Sequence, residues 1–331
     1  MSSSDSHSPT AAGLSWADLG RQDELHVTGA DAVTFIENFT TAKVGGLEPG
    51  TGCDGFFCDV RGWVLDLALI RRTATGLLLC VAPGRAAPLR DHLDRYHIRE
   101  KLELVDHSGG VASLLLAGPR ARDWLAERFD QPLPASQLQF VDGLLAVDEA
   151  GEEPVAVRLT LIDWYGPGGY LLETAAGEQL AAALAAMGLP RAAAETVTAR
   201  RIRCGRPLAE DIPEKTLPQE LGLDDRAICF SKGCYLGQET VARLDALGHV
   251  NRRLTCLAVS GDDPVLPGTP VTSGGSPVAT VSSAAPAIEG EGWLALAIVP
   301  LKAVAAAASL TVDGRTAVPR PFTTEPEGNP E

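Results

Sequence analysis

Apolar and polar positions along the first two-thirds of the chain follow two periods, one of two residues and one near 3.6. Residues 25–28 read as a strand running into Gly29, with Asp31 as N-cap of a short helix through Phe35. Residues 56–59 and 63–70 flank Val60-Arg61-Gly62 and predict a hairpin, followed by a strand at 76–81. A helix over 86–96 comes next, and Pro88 fits only in its first turn. Residues 111–117 read as a buried strand. Pro119 then opens a helix whose spacing turns Trp124, Leu125 and Phe129 to the core. Segments 144–147, 155–161 and 170–173 alternate like antiparallel strands, and helices are expected at 178–187 and 194–204, the second closed by Gly205.

The pattern changes near residue 245. Beyond about residue 250, the segments 254–259, 270–272, 278–282, 293–298 and 310–312 are short and β-rich, separated by turns such as Ser273-Gly274-Gly275-Ser276. This predicts a small β-barrel or sandwich, with 303–308 as an ambiguous helical turn. The earlier part lacks regular βα alternation, GxGxxG and GxxxxGK[ST], so the expected class is α+β with antiparallel sheets. The polar ends, residues 1–13 and 323–331, are expected to be disordered, around an α+β region at 14–245 and a C-terminal domain at 250–322.

Composition adds limits. The chain has 331 residues, ample for more than one core, and with only 5% aromatic residues those cores must be mainly Leu, Val and Ala. A net charge of −15 disfavours direct nucleic-acid binding. The short clusters Arg71-Arg72 and Arg200-Arg201-Ile202-Arg203 suit one small anion better than a duplex. No apolar stretch reaches the roughly 18–20 residues needed to span a bilayer, and no leader is read at the start, so neither membrane insertion nor export is expected. Seven scattered cysteines without CxxC or zinc spacing imply free thiols in a reducing cytoplasm, and no metal site.

The densest chemistry lies in Lys232-Gly233-Cys234-Tyr235-Leu236-Gly237-Gln238-Glu239. Val241, Leu244 and Leu247 recur at helical intervals, predicting a helix from near Gly237 to Gly248. Cys234 then stands just before a helix N-terminus and two residues from Lys232, conditions that lower a thiol pKa. The competing reading is a small buried hydrophobe. Gly233 and Gly237 would let backbone approach a ligand, and Gln238 and Glu239 suit the positive end of the helix dipole.

KGCYLGQE resembles the signature of the YgfZ family of folate-binding proteins, related to the glycine-cleavage T-protein. The preceding LPQELGL, His26–Gly29 with Asp31-Ala32, Thr40-Thr41, Gly62–Ile70, Arg201–Pro207 and Asp211 are similar to further family elements. The resemblance implies a T-protein-like fold: two α+β modules and a C-terminal β-barrel around a central opening that holds tetrahydrofolate or a derivative. It implies a cytoplasmic accessory role in iron–sulfur cluster assembly or repair, with iron–sulfur proteins or assembly factors as partners and an indirect effect on tRNA modification. A folate-dependent one-carbon transferase is the alternative.

By the same resemblance Cys234, Lys232 and Asp66 are the candidate reactive residues. Asp66 would accept a hydrogen bond from an N–H of the pterin, against a structural ion pair as the other reading. Arg201 would capture folate carboxylates, with Arg200 and Arg203 as substitutes. Lys232, Gly233, Tyr235, Gly237, Gln238, Glu239 and Arg243 complete the expected ligand-binding set, although Glu239 and Arg243 at i and i+4 would also suit a simple helix pair. Tyr235 is preferred to Trp164 as a stacking partner for a pterin. Where aminomethyltransferases resemble GExG[FY]E, this chain has Tyr165-Gly166-Pro167-Gly168-Gly169-Tyr170-Leu171, and Pro167 offers no side-chain acceptor. That departure argues against classical aminomethyl transfer.

Overall fold

The computed structural model describes residues 13–147, 154–248, 250–288, 290–305 and 310–323. The ends expected to be disordered fall outside them apart from Gly13 and Thr323, as do residues 306–308 of the ambiguous turn. The first module is β1 (Ser15–Thr28), α1 (Ala32–Glu37), β2 (Gly52–Cys58), β3 (Val64–Arg72), β4 (Gly76–Val81) and α2 (Ala86–Asp94). The second repeats the same order: β5 (Glu103–Ala117), α3 (Ala121–Ala126), β6 (Phe140–Leu145), β7 (Val155–Ile162), β8 (Gly169–Thr174) and α4 (Gly177–Ala186). α5 (Ala194–Cys204), α6 (Asp224–Ala227) and α7 (Gln238–Leu247) lead to β9 (Arg252–Val259), β10 (Pro270–Ser273), β11 (Ser276–Pro286), β12 (Trp293–Pro300), α8 (Leu301–Ala305), β13 (Leu310–Val312) and β14 (Arg315–Arg320).

The eight strands of the two modules form one antiparallel sheet, ordered β2-β3-β4-β1-β5-β8-β7-β6, while the last six close a barrel ordered β10-β11-β12-β9-β14-β13. The sheet order is a palindrome of the two repeats, joined where β1 pairs with β5 from Ser15↔Ala117 to Thr28↔Glu103. β1 is far longer than the four-residue strand expected, because Arg21-Gln22-Asp23-Glu24 hides its alternation. Asp23 and Glu24 are nevertheless buried.

One face of each half is covered by helices. Leu25, Val27, Ala68, Ile70, Leu77 and Leu79 pack under α1 and α2, and Leu114, Leu116, Leu159 and Leu172 pack under α3 and α4. The alternating residues turn to the other face. There Arg71 of β3, fully buried, reaches Glu173 of β8 with Nη1 3.1 Å from Oε1, a second contact to Oε2, and Nη2 3.0 Å from Thr160 Oγ1. Four strand spacings separate β3 from β8, about 19 Å in a flat sheet, so this contact exists only because the sheet curls. Glu24 and Cys80 lie with Glu173 in the same curl, and Arg71 Nη1 stands 2.9 Å from Cys80 Sγ. A guanidinium therefore supplies the positive charge that this acidic cluster requires.

A buried pair broken on one side leaves an unmatched charge. Glu173→Ala is expected to lower the unfolding free energy by about 3–5 kcal/mol. The check is a reduced urea midpoint at unchanged slope.

Candidate functional site

Inside the curl lies a cavity of about 340 Å³. Its floor carries Leu69 and Cys80 of the first module and Ser113, Leu171 and Glu173 of the second. Its roof is α5 with the segment 206–212, and Trp164 and Tyr165 close one side. The Ser113 hydroxyl is buried in this floor and has no hydrogen-bond partner among the described residues, since Glu173, its register neighbour on β8, is taken by Arg71.

Of the residues expected from sequence, Asp66 and Arg201 line this cavity. Asp66 also borders a second cavity of about 420 Å³ beneath α2. Strand alternation groups it with Ala68 and Ile70 on the helix-covered face, and its Oδ2 accepts a 2.9 Å hydrogen bond from Arg85 Nε. Burial pushes its carboxyl up to about 6, against the lowering effect of Arg85. Asp66 is thus at once an ion-pair member and an edge of the central cavity.

Arg201 is buried and three of its N–H donors are engaged. Nη1 bonds to Arg206 O at 2.9 Å and Asp211 Oδ2 at 2.6 Å, and Nη2 bonds to Ser283 Oγ at 2.7 Å. Asp211 Oδ1 in turn accepts from Ser282 and Ser283 Oγ at 2.5 and 2.7 Å. This network ties α5 to barrel strand β11. The anion capture expected of Arg201 meets a guanidinium already matched by Asp211. Arg206, not singled out from sequence, also lines the cavity, with its guanidinium 4.0 Å from the Trp164 ring centroid and Nη1 2.7 Å from Asp54 Oδ2.

The cysteine loop sits elsewhere. Cys234, Lys232, Gly233, Tyr235, Gly237, Gln238, Glu239 and Arg243 are all absent from the cavity lining. Cys234 is exposed, which removes the buried-hydrophobe reading. Lys232 is buried, and its ammonium donates to the carbonyls of Glu37, Thr40 and Ala42 at the C-terminal end of α1 while standing 3.4 Å from Glu37 Oε1. All three N–H donors are spent there, where a cation suits a helix C-terminus. Lys232 therefore pins the loop and keeps no donor for a ligand. Tyr235 packs in a core with Phe56, Val64, Leu221 and Val241, so the expected order of the two aromatic candidates is reversed: Trp164, not Tyr235, faces the cavity.

Further contacts fasten this loop to the first module. Leu236 N bonds to Asn38 O, Cys229 N to Thr41 O, and Thr41 Oγ1 to Ala227 O. Gly237, at φ +82°, begins α7 against the β2–β3 turn, where an added Cβ would lie 2.5 Å from Asp59 O and 2.9 Å from Gly62 Cα. The expected role of Gly237 in ligand approach is in this structure an approach of backbone to backbone. Gln238 is half-buried, Glu239 and Arg243 are exposed, and no ion pair joins the latter two among the described residues.

Sequence reasoning missed Ser113, Arg206 and Cys229. The first two carry no local signal, since only the curl brings them to the cavity. Cys229 is one of the seven scattered thiols, and nothing in its spacing sets it apart. Its sulfur lies 3.5 Å from Ser231 Oγ, and that hydroxyl, with backbone N–H groups and Lys43, lowers its pKa from the ordinary thiol value.

The raised Asp66 pKa has a stability consequence with a definite sign. The folded chain holds the proton more tightly than the unfolded chain, whose aspartates titrate near about 4. Asp66 therefore makes stability fall as pH rises from about 4 through about 6, with no further loss above. Asp66→Asn removes this dependence. Urea denaturation from about pH 4 to about pH 7 is expected to show wild type losing stability relative to the variant across that window.

Comparison with known proteins places this geometry. The GCVT N-terminal domain family matches residues 2–232, well over half of the chain. A chloroplastic protein of Arabidopsis thaliana named as a transferase is 27% identical over 310 residues, covering 91% of this chain and 68% of that one. The tRNA-modifying protein YgfZ of Colwellia psychrerythraea is 28% identical over 244 residues, covering 72% and 70% respectively. The crystal structure of glycine cleavage system aminomethyltransferase T from Bartonella henselae superimposes with a TM-score of 0.77 over 96% of this chain and 88% of that one, at 18% identity, and so shares the fold. With the shared fold, these matches show that the chain belongs to the GCVT N-terminal domain family and is of the YgfZ type within the T-protein superfamily.

Proposed function

We propose that this protein binds a reduced folate in the central cavity and acts in the cytoplasm as an accessory to iron–sulfur cluster assembly or repair, with an indirect effect on tRNA modification. The observation that carries this reading is the cavity itself, set between the two modules of a T-protein fold with an unpartnered, buried Ser113 hydroxyl in its floor. A volume of about 340 Å³ with apolar walls and a few convergent polar groups fits a small heterocyclic ligand. Tetrahydrofolate would supply a ring nitrogen able to carry one-carbon units. Leu69 and Leu171 would bound its ring, Trp164 would offer an aromatic edge, and Ser113 and Asp66 would meet its polar atoms. Such a pairing would relieve the cost of an unmatched buried hydroxyl, about 1–3 kcal/mol.

Cys234 takes the outward role in this proposal. Exposed and outside the cavity lining, it suits contact with a partner protein or a cluster better than chemistry on an enclosed folate. Its loop is pinned by Lys232, which keeps the thiol presented at one place. A second reading, a folate-dependent one-carbon transferase, is favoured by Asp66, a carboxyl near pKa 6 at the cavity edge. Against it stands Pro167 where aminomethyltransferases have an acidic residue.

Calorimetric titration of the purified chain with reduced folates is the direct test. Binding is expected, with Ser113→Ala about tenfold weaker and no less stable, because removing an unpartnered hydroxyl costs the fold nothing. No heat with any reduced folate rejects the cavity reading. Cys234→Ala is expected to fold and bind folate normally yet fail to complement a cluster-maintenance defect; full complementation rejects the role given to Cys234. Turnover of folate with a one-carbon donor would establish the transferase reading instead.

A further inference from the structure

The Arg-rich turn of α5 divides by face. Arg201 and Ile202 enter the core, while Arg200 and Arg203, three residues apart on one side of the helix, are half-buried and line a separate cleft of about 550 Å³. Arg122 of α3 enters the same cleft from the second module, and Ile288 from the barrel. Pro119, Tyr165 and Pro167 supply an apolar wall. No Asp or Glu lines this cleft among the described residues, although the chain carries a net charge of −15. Arg200 makes no hydrogen bond or ion pair among the described residues. Among the described residues Arg122 uses only Nη1, on Pro134 O at 3.3 Å and Tyr170 Oη at 3.4 Å.

We propose that this cleft is a binding site for a small organic oxyanion, an apolar ring or chain bearing carboxylate or phosphate groups. The Arg122 and Arg200 guanidiniums, brought to one partly apolar cleft, repel one another unless an anion offsets them, and their planar forks match carboxylate and phosphate oxygens. The apolar wall then takes the body of the molecule. The cleft is distinct from the central cavity, with Tyr165 lining both. Two sources of the oxyanion share this chemistry: a free aromatic acid or phosphate ester, or an anionic tail on the central ligand. Only the second source rests on the folate reading.

The test uses the full chain and the double variant Arg122→Ala/Arg200→Ala, neither residue belonging to the folate cavity. Phthalate, phenyl phosphate, and reduced folate carrying one or several γ-linked glutamates are titrated calorimetrically at low and moderate salt. One of the acids, or the added glutamates, is expected to gain affinity that the double variant loses by roughly tenfold and that salt weakens. Gain by the free acids identifies an independent ligand, and gain by the added glutamates alone identifies the tail. Absence of any gain, or equal gain in the double variant, overturns the site whether or not folate binds the central cavity.

Discussion

The pairing of Arg71 with Glu173 is the constraint on which the rest of the architecture turns. A fully buried guanidinium is tolerable only with a well-placed carboxylate, and that carboxylate belongs to the other module, 102 residues along the chain. The two groups meet only if the eight-stranded sheet bends on itself. Bending leaves an inner face too curved to fill, and the central cavity is the result. Thr160, Cys80 and Glu24 complete the same polar seam.

A second network seals that space from above. Arg201, Asp211, Ser282 and Ser283 fasten α5 to the barrel, so the roof of the cavity is held by the third part of the fold rather than by the sheet. The cysteine loop forms a third fixed point, through Lys232 on the end of α1 and Gly237 on the β2–β3 turn. Cavity and loop are therefore two separate surfaces on one frame. Charged residues of the familiar motifs serve the frame, while less conspicuous groups, such as Ser113, face the space.

Much of the fold could be read in advance where the signal was local. α5 runs over the expected residues because its apolar spacing is regular and Gly205, at φ +67°, ends it. α7 likewise lies between Gly237 and Gly248, both with positive φ. β4 carries a short apolar run between turns and matches its expected span. β1 failed the same reading, because its middle, from Asp18 to Glu24, is mostly polar and carries no alternation of apolar residues.

What residue order alone determined, then, was most of the elements, the change to a barrel after α7, and the motif around Cys234. Those depend on neighbours a few positions apart, through backbone propensity, capping and side-chain period. Tertiary structure decided which charges became scaffold and which surfaces stayed open. Lys232 and Arg201 look like ligand-binding cations in isolation, yet each finds its oxygen partners on an element distant in the chain or folded back on it. Burial and pairing are properties of long-range contact. No local pattern encodes which of two adjacent arginines turns inward to a carboxylate and which is left beside a cleft.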